Sequence, residues 1–342
     1  MLSSRVSVPP QRLPFRFAVP ALGLLVLAGS VVAATVRPAV AAARPPEASN
    51  REALPPDQKF QTLRLERSRQ NHLLLRAFIN GKPALLGVDT GAPVSAIAID
   101  RVEHFGGKPL AAESKLPRRL SINGAYNNVV MVKNLQLGRL SLLDEPMVTI
   151  DLGGSSRAAT LMNEQAIDGI IGADILFPTD AVLDCNQQTL TVKMDPTVHG
   201  HAPGTNYRGF TKVPMSVSSG YNLYVNTRVN GTRAKLLVDT GAFSTLLHQP
   251  FVRRLNIPLR DTDFTSALVN LKSHGLQRAT IARLSIGSVQ LRGKEVGVIN
   301  LEGLIRNGLL DAKPPVAGLL GSEILQRHNG IIDFGTRTLY LK

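Results

Sequence analysis

Residues 59–92 read KFQTLRLERSRQNHLLLRAFINGKPALLGVDTGA, and residues 209–242 read GFTKVPMSVSSGYNLYVNTRVNGTRAKLLVDTGA. The two stretches align without a gap at a spacing of 150 residues, and both end in Asp-Thr-Gly-Ala. Their shared residues include an Asn-Gly pair, at Asn80-Gly81 and Asn230-Gly231. A repeat that keeps its register over this length predicts two copies of one structural unit.

Two further matches downstream extend the repeat with a slip of one residue. The sequence GIIGADIL at 169–176 matches GLLGSEIL at 318–325, and AVLD at 181–184 matches GIID at 330–333. We therefore predict two lobes, at 59–194 and 208–342. The residues between them, 195–207, contain Pro and Gly and are interpreted as a connector.

The pattern inside each unit is that of β structure. Short apolar runs alternate with turn residues, and an Asn-Gly pair between two such runs is a strong signal of a hairpin. The apolar run 84–88 is typical of a strand that is buried on both faces. Only the segments after Gly172 and Gly321 indicate a helix. The predicted fold is mostly β, with two homologous lobes related by a pseudo-two-fold axis and one short helix in each.

Asp89 and Asp239 are the candidate catalytic residues. Each follows an apolar strand into a glycine turn, and equivalent loops of a duplicated fold meet near the axis. Two carboxyl groups held close together cannot easily both ionise, so they share a proton. The ionised partner could take a proton from water while the other donates one to a carbonyl oxygen, which hydrolyses an amide without metal or cofactor.

The neighbours of the two aspartates are predicted to support their loops. The hydroxyl groups of Thr90 and Thr240 are expected to bond to the backbone of the opposite loop. Gly91 and Gly241 let backbone N–H groups approach the carboxyl groups, because glycine carries no side chain. These four residues are predicted to support the loops rather than to react.

Two Asp-Thr-Gly-Ala motifs, each followed by two hydrophobic residues and Gly and then by a short helix, resemble the pepsin-like and retropepsin-like aspartic proteases. The resemblance covers about residues 58–342, and the short lobes are similar to single-lobe retropepsins fused in tandem. It implies a closed acid-protease-type β fold, a catalytic dyad of Asp89 and Asp239, and a peptide bound between the lobes under a flap. Tyr126 is the candidate aromatic residue of that flap.

Ala92 and Ala242 depart from the pepsin pattern, which has Ser or Thr after the glycine. A hydroxyl there would donate to the charged carboxylate, so its absence is expected to raise the pKa values of the pair. The expected optimum for activity is roughly pH 4–6.

Two alternatives to a protease acting within one chain stay open at this stage. The same duplicated fold could serve as a non-catalytic peptide-binding or scaffold protein, because fold does not dictate function. The lobes could also pair between chains, joining Asp89 with Asp89 or Asp239 with Asp239. The short connector favours pairing within the chain and a monomer.

The N-terminal residues carry the pattern of a targeting segment. Arg5, Arg12 and Arg16 precede an apolar run at 17–36, which is typical of a signal peptide or a membrane anchor. We assign residues 1–43 to this segment and the Pro-rich residues 44–58 to a linker. The expected location is the periplasm or another extracytoplasmic space, and a tether to the inner membrane through 17–36 is one alternative.

Composition bears on the other classes of function. The chain has 342 residues and a net charge of +14, with one Cys and seven His that lack the spacing of a metal site. It has no Trp and five Tyr, which argues against an aromatic platform for nucleic acid. The expected partner is therefore a peptide or protein substrate, with no metal, cofactor or nucleic acid.

Overall fold

The computed structural model describes residues 59–110, 129–194, 207–218, 220–261, 276–306 and 309–342. The predicted targeting segment, the linker, the flap residue Tyr126 and nearly all of the connector lie outside the described residues. Within the described ranges, no helix has both the length and the apolar character needed to cross a membrane.

The described residues form a mostly β structure, as the sequence predicts. The strands of the first half are β1 (Phe60–Arg64), β2 (Glu66–Arg67), β3 (Leu73–Ile79), β4 (Lys82–Val88), β5 (Ala96–Ala98), β6 (Lys108–Pro109), β7 (Val129–Leu137), β8 (Leu140–Ile150), β9 (Gly169–Ile171), β10 (Val182–Asp184) and β11 (Thr189–Lys193). Those of the second half are β12 (Thr211–Val217), β13 (Leu223–Val229), β14 (Thr232–Val238), β15 (Leu246–His248), β16 (Arg260–Asp261), β17 (Gln277–Ile286), β18 (Val289–Ile299), β19 (Gly318–Leu320), β20 (Ile331–Asp333) and β21 (Thr338–Leu341).

Each lobe holds more helix than the single short one that was predicted. In the described residues the α-helices are α1 (Val102–Phe105), α2 (Gly153–Leu161), α3 (Ala173–Leu176), α4 (Gln249–Arg254), α5 (Glu302–Arg306) and α6 (Ser322–Arg327). Only α3 and α6 were expected. The other four have one to three turns, which is too short for a helical period to stand out in the sequence.

Both lobes close into six-stranded barrels. In the N-terminal lobe the strand order β3-β4-β9-β5-β8-β7 is closed by pairing of β7 with β3. The C-terminal lobe repeats this order with β13-β14-β19-β15-β18-β17, closed by pairing of β17 with β13. The last residues of the central strands β4 and β14 are buried, so hydrophobic burial anchors the loops that follow these strands.

A six-stranded sheet, β1-β11-β10-β20-β21-β12, connects the lobes. At its centre the equivalent strands β10 and β20 pair in antiparallel fashion, with Leu183 opposite Ile332. Antiparallel pairing of two equivalent strands is the relation that a two-fold axis produces. The sheet thus provides the pseudo-two-fold arrangement that the repeat predicts.

The predicted Asn-Gly hairpins are present in both lobes. They join β3 to β4 and β13 to β14. Asn80 and Gly81 have φ values of 51° and 79°, and Asn230 and Gly231 have values of 48° and 84°. Positive φ at both central residues is the requirement of a tight hairpin turn, which Asn and Gly meet at low cost.

Candidate active site

Asp89 and Asp239 lie directly after β4 and β14, and both side chains are buried. The strand Gly169–Ile171 runs parallel to the end of β4, and the Asp89 N–H donates to Ile171 O at 3.0 Å. In the other lobe Asp239 N–H donates to Leu320 O at 3.0 Å. The apolar pairs Ile170-Ile171 and Leu319-Leu320, each of which lies between two glycines, therefore brace the two aspartate loops.

Thr90 and Thr240 connect the two loops. Thr90 N–H donates to Thr240 Oγ1 at 3.0 Å, and Thr240 N–H donates to Thr90 Oγ1 at 3.1 Å. Each hydroxyl donates in turn to the strand end of the other lobe, Thr90 to Val238 O and Thr240 to Val88 O, both at 2.8 Å. All of these groups are buried, so little water competes for the bonds.

Gly91 and Gly241 bring each loop against the opposite aspartate. A Cβ atom placed on Gly91 would lie 2.5 Å from Cγ of Asp239, and one placed on Gly241 would lie 2.4 Å from Oδ2 of Asp89. Both distances are far inside van der Waals contact. Glycine is required here because of this close approach.

The two carboxyl groups form one coupled pair. Each carboxyl group lies against the glycine of the opposite loop, so the ionisation of one affects that of the other. Desolvation raises the pKa of Asp89 to about 6, although backbone N–H groups of Gly91, Ala92 and Gly241 act in the opposite direction. Desolvation, followed by the charge of Asp89, raises the pKa of Asp239 well above its ordinary value. A pair with these pKa values holds one proton over a range of pH.

Backbone donors stabilise the charged form of each carboxyl group. Gly91 N–H donates to Asp89 Oδ1 at 2.7 Å. Asp239 Oδ1 accepts from the N–H groups of Gly241 and Ala242, at 2.9 Å and 3.0 Å. The main chain of residue 242 therefore supplies one donor, although its side chain lacks a hydroxyl. These bonds hold both carboxyl groups in a defined orientation.

Further hydrogen bonds, which the sequence analysis did not predict, support the aspartate loops through Asp174 and Glu323. Asp174 Oδ1 accepts from Ser95 Oγ at 2.7 Å, and Glu323 Oε2 accepts from Thr245 N–H at 2.9 Å. Asp174 and Glu323 occupy equivalent positions of the repeat, so both have a paired structural role that the difference in residue type concealed. In the second lobe Ser322 Oγ also donates to Thr240 O at 2.7 Å.

His72 is a further residue at the site that the sequence analysis did not single out. It precedes β3 in the N-terminal lobe, and its ring lies near the backbone of Gly241 in the other lobe. Desolvation lowers the pKa of His72 to about 4. The repeat places Asn222 at the equivalent position, where its amide donates to Leu309 O at 2.8 Å. The repeat could not reveal this contact, because the two copies carry different residues at this position.

Three other polar residues near the repeated motifs, Asp184, Asp333 and His248, have structural contacts. Asp184 and Asp333 accept hydrogen bonds from backbone N–H groups of the turns that follow them, as expected for residues that cap a turn. His248 is the last residue of β15, which follows the second aspartate loop. Its side chain is buried, and Nδ1 accepts from Leu301 N–H at 3.1 Å.

The two halves of the chain match two family models. Residues 75–175 match the model described as "Aspartyl protease", and residues 225–327 match the model described as "gag-polyprotein putative aspartyl protease". Together the matches cover more than half of the chain, and each contains one Asp-Thr-Gly-Ala motif. The chain belongs to the retropepsin-like and pepsin-like aspartic proteases. Membership of this family agrees with the resemblance drawn from the motifs.

Relatives within the family cover one lobe's length of this chain. Protein DDI1 homolog 2 of Mus musculus is 32% identical over 130 residues, which are 38% of this chain and 30% of the mouse protein. Protein DDI1 homolog 1 of Homo sapiens is also 32% identical over 130 residues, with the same coverage. The chain thus spans less than a third of the length of these relatives.

Solved structures of the aspartic protease family are also similar to this chain. A retropepsin-like aspartic protease from Rickettsia conorii is 23% identical, over 39% of this chain and 90% of its own, with a TM-score of 0.30. An aspartic proteinase from Irpex lacteus is 14% identical, over 82% of this chain and 96% of its own, with a TM-score of 0.40.

Proposed function

We propose that this member of the aspartic protease family is an endopeptidase that hydrolyses peptide bonds with water activated between Asp89 and Asp239. One observation carries the proposal: the two lobes bring both buried carboxyl groups into one coupled pair whose pKa values are raised. Such a pair can hold a single proton at mildly acidic pH, which is the state that the reaction needs.

The roles of the two carboxyl groups follow from their surroundings. The charge of Asp89 raises the pKa of Asp239, so we assign Asp89 as the ionised partner and Asp239 as the protonated one. Asp89 would take a proton from water while Asp239 donates its proton to the carbonyl oxygen of the peptide. The resulting diol breaks down when a proton is returned to the leaving amine.

The hydrogen bonds between Thr90 and Thr240 supply the rigidity that this chemistry requires. Proton transfer is efficient only when donor and acceptor hold their positions, and small displacements of reacting groups reduce rates strongly. Because the bonds join one loop to the other, they fix the aspartates relative to each other. This supports pairing of Asp89 with Asp239 within one chain.

The test is a comparison of Asp89→Asn and Asp239→Asn with the surface variant Asp144→Asn. Each protein is incubated at pH 4–7 with a peptide library, and cleaved bonds are identified by mass spectrometry. We expect both dyad variants to lose at least about 1,000-fold of the cleavage rate, while Asp144→Asn keeps the wild-type rate. Circular dichroism verifies that the variants are folded.

Experiments with an inhibitor and a chelator distinguish the proposed mechanism from the alternatives. A statine-type inhibitor that mimics the diol should bind the wild type and compete with substrate, and a metal chelator should leave the rate unchanged. A folded wild type that neither cleaves the library nor binds the inhibitor would favour the non-catalytic peptide-binding alternative. Wild-type turnover by either dyad variant would refute the paired-carboxylate mechanism.

We also infer that the protein is exported and acts outside the cytoplasm. The basic flank at Arg5, Arg12 and Arg16 and the apolar run at 17–36 support this proposal. If the run is retained rather than cleaved, it tethers the protease to the membrane through the Pro-rich linker.

A further inference from the structure

The C-terminal lobe carries a groove whose lining contains no residue of the aspartate loops. Its cavity has a volume of about 690 Å³ and is lined by β13, β14, α4 and residues 314–317. We call it the C-lobe groove and define it by Arg228, Arg233, Lys235, Phe251, Arg254 and Pro314. Lys235 precedes Asp239 by four residues on an extended strand, which is a distance of roughly 13 Å.

The charges in the C-lobe groove are all of one sign. Its lining contains three arginines and Lys235, and no Asp or Glu. Arg228 and Arg233 lie directly opposite each other in the pairing of β13 with β14. Like charges at opposed positions of a sheet destabilise the pair, by about 0.2–1 kcal/mol. The fold therefore gains nothing from this arrangement.

The three arginines differ from Lys235 in how they are paired. Lys235 forms an ion pair with Asp311, and its ammonium group lies 4.2 Å from the ring centroid of Tyr224. Across the described ranges, no carboxylate forms an ion pair with Arg228, Arg233 or Arg254. Two of the three have defined positions, since Arg228 Nη1 donates to Gly231 O at 2.9 Å and the Arg254 guanidinium lies 5.3 Å from the Phe251 ring centroid.

The N-terminal lobe provides an internal comparison. The opposed pair Arg228 and Arg233 corresponds to Phe78 and Pro83, which are opposed in the same way in the pairing of β3 with β4. Arg254 corresponds to His104. The shared fold thus forms the same hairpin without these cations, so the cationic set belongs to the C-terminal lobe alone.

The chemistry of the groove specifies its ligand. Guanidinium groups bind carboxylates through paired hydrogen bonds, and three separate ones match several carboxylates rather than one anion. The volume lies within the range of about 300–1,000 Å³ that is usual for ligand sites. Pro314 is exposed in the lining and can contact the aliphatic part of a glutamate side chain. We infer that the C-lobe groove binds a Glu- and Asp-rich peptide segment, a docking site separate from the cleft that cuts the chain.

The test measures binding without hydrolysis. A fluorescein-labelled peptide of eight glutamates is titrated into the full chain in the Asp89→Asn background, and its anisotropy is recorded. The groove variant is Arg233→Ser with Arg254→Ser. The matched control, Arg253→Ser with Arg292→Ser, removes the same charge from exposed positions of the same lobe outside the groove.

We expect the groove variant to raise the Kd of the peptide at least about tenfold, because it loses charge-assisted hydrogen bonds. The control should change the Kd less than about twofold. Equal losses in both variants would overturn the inference, since they would indicate attraction by net charge alone. Absence of saturable binding, or tighter binding of polyphosphate or of a single-stranded oligonucleotide than of the peptide, would also overturn it.

These outcomes do not depend on whether the protein is a protease. Binding of the acidic peptide is measured in a variant that the proposed mechanism makes inactive. Failure of the groove inference therefore leaves the proposed hydrolysis intact, and failure of hydrolysis leaves the groove inference intact.

Discussion

Thr90 and Thr240 exchange backbone-to-hydroxyl hydrogen bonds across the junction of the two lobes. Neither hydroxyl bonds within its own lobe, because each donates to the strand that precedes the opposite aspartate. The geometry of one loop is therefore defined only when the other lobe is folded. Because of these reciprocal bonds, the arrangement of the active-site loops depends on the packing of both lobes.

The first prediction concerns this exchange. Thr90→Val removes a hydroxyl that satisfies two buried backbone groups, Val238 O and Thr240 N–H. We expect the free energy of unfolding to fall by about 2–4 kcal/mol, measured by urea denaturation. Thr62→Val is the control, since the Thr62 hydroxyl bonds to Thr191 at an exposed position and should cost less than about 0.5 kcal/mol.

A double-mutant cycle sharpens this test. Each hydroxyl makes its own two bonds, but both pairs of bonds hold the same junction of the two loops. The double variant should therefore lose less stability than the sum of the single variants. Additive losses would show that the two hydroxyls act independently, contrary to the reciprocal arrangement.

The second prediction concerns stability and pH. Burial raises the pKa of Asp89 from its ordinary value of 3.8 to about 6 in the folded chain. The folded state binds this proton more tightly than the unfolded state, so the penalty is absent below about pH 4 and grows as the pH rises through about 6. Asp89→Asn should therefore stabilise the protein at pH 7.5, by on the order of 3 kcal/mol.

The pH dependence distinguishes this effect from an unrelated gain. The difference in unfolding free energy between Asp89→Asn and wild type should shrink to near zero at pH 3.5. The exposed Asp144→Asn variant should show no comparable trend. A stability gain that is the same at both pH values would contradict the raised pKa as its cause.

The third prediction concerns the close approach at Gly241. In Gly241→Ala the new methyl group would lie 2.4 Å from Asp89 Oδ2, so the carboxyl group or the loop must move. We expect kcat/KM to fall at least about 100-fold, because small displacements of reacting groups are sufficient for such a loss. Gly303→Ala in α5 has nothing within 4 Å of its new methyl group, and should retain full activity.

The fourth prediction concerns Ala92 and Ala242. Replacing both by Ser adds hydroxyl donors beside the charged carboxylates, which should shift the bell-shaped profile of kcat/KM to lower pH. The wild-type optimum is expected at roughly pH 4–6. The exposed Ala312→Ser variant is the control. A wild-type optimum below pH 3, or a profile of the double variant that stays in place, would show that these positions do not tune the pair.

The fifth prediction concerns export. Residues 1–58 fused to a reporter that works only outside the cytoplasm should give an active reporter. Changing Arg5, Arg12 and Arg16 to Glu should abolish that activity, because the basic flank sets orientation. Changing Arg37 and Arg44, which follow the apolar run, should preserve it. Activity of the unaltered fusion only in a cytoplasmic reporter would contradict the assignment.

The sequence by itself determined the duplication, the hairpins and the identity of the paired loops. These features depend on residues that are neighbours in the sequence. Asn80-Gly81 specifies a tight turn through its φ values, and Asp89 and its equivalent Asp239 each follow an apolar strand. The constant spacing between the two copies then showed that Asp239 is the equivalent of Asp89, so symmetry predicts that their loops face each other. Local conformational preference and a repeat are both visible along one chain.

Only the tertiary structure decided which residues surround these loops. His72 lies near the backbone of Gly241, and Arg228 and Arg254 line the same groove. Both arrangements bring together segments that are distant in sequence. Asp174 and Glu323 share one structural role although their types differ, since they accept hydrogen bonds from Ser95 and Thr245, which are equivalent positions of the repeat. Such contacts depend on how strands pair and pack. The position of the two aspartates after equivalent strands was therefore predictable from local motifs, whereas the residues that support them and the cationic groove arise from packing.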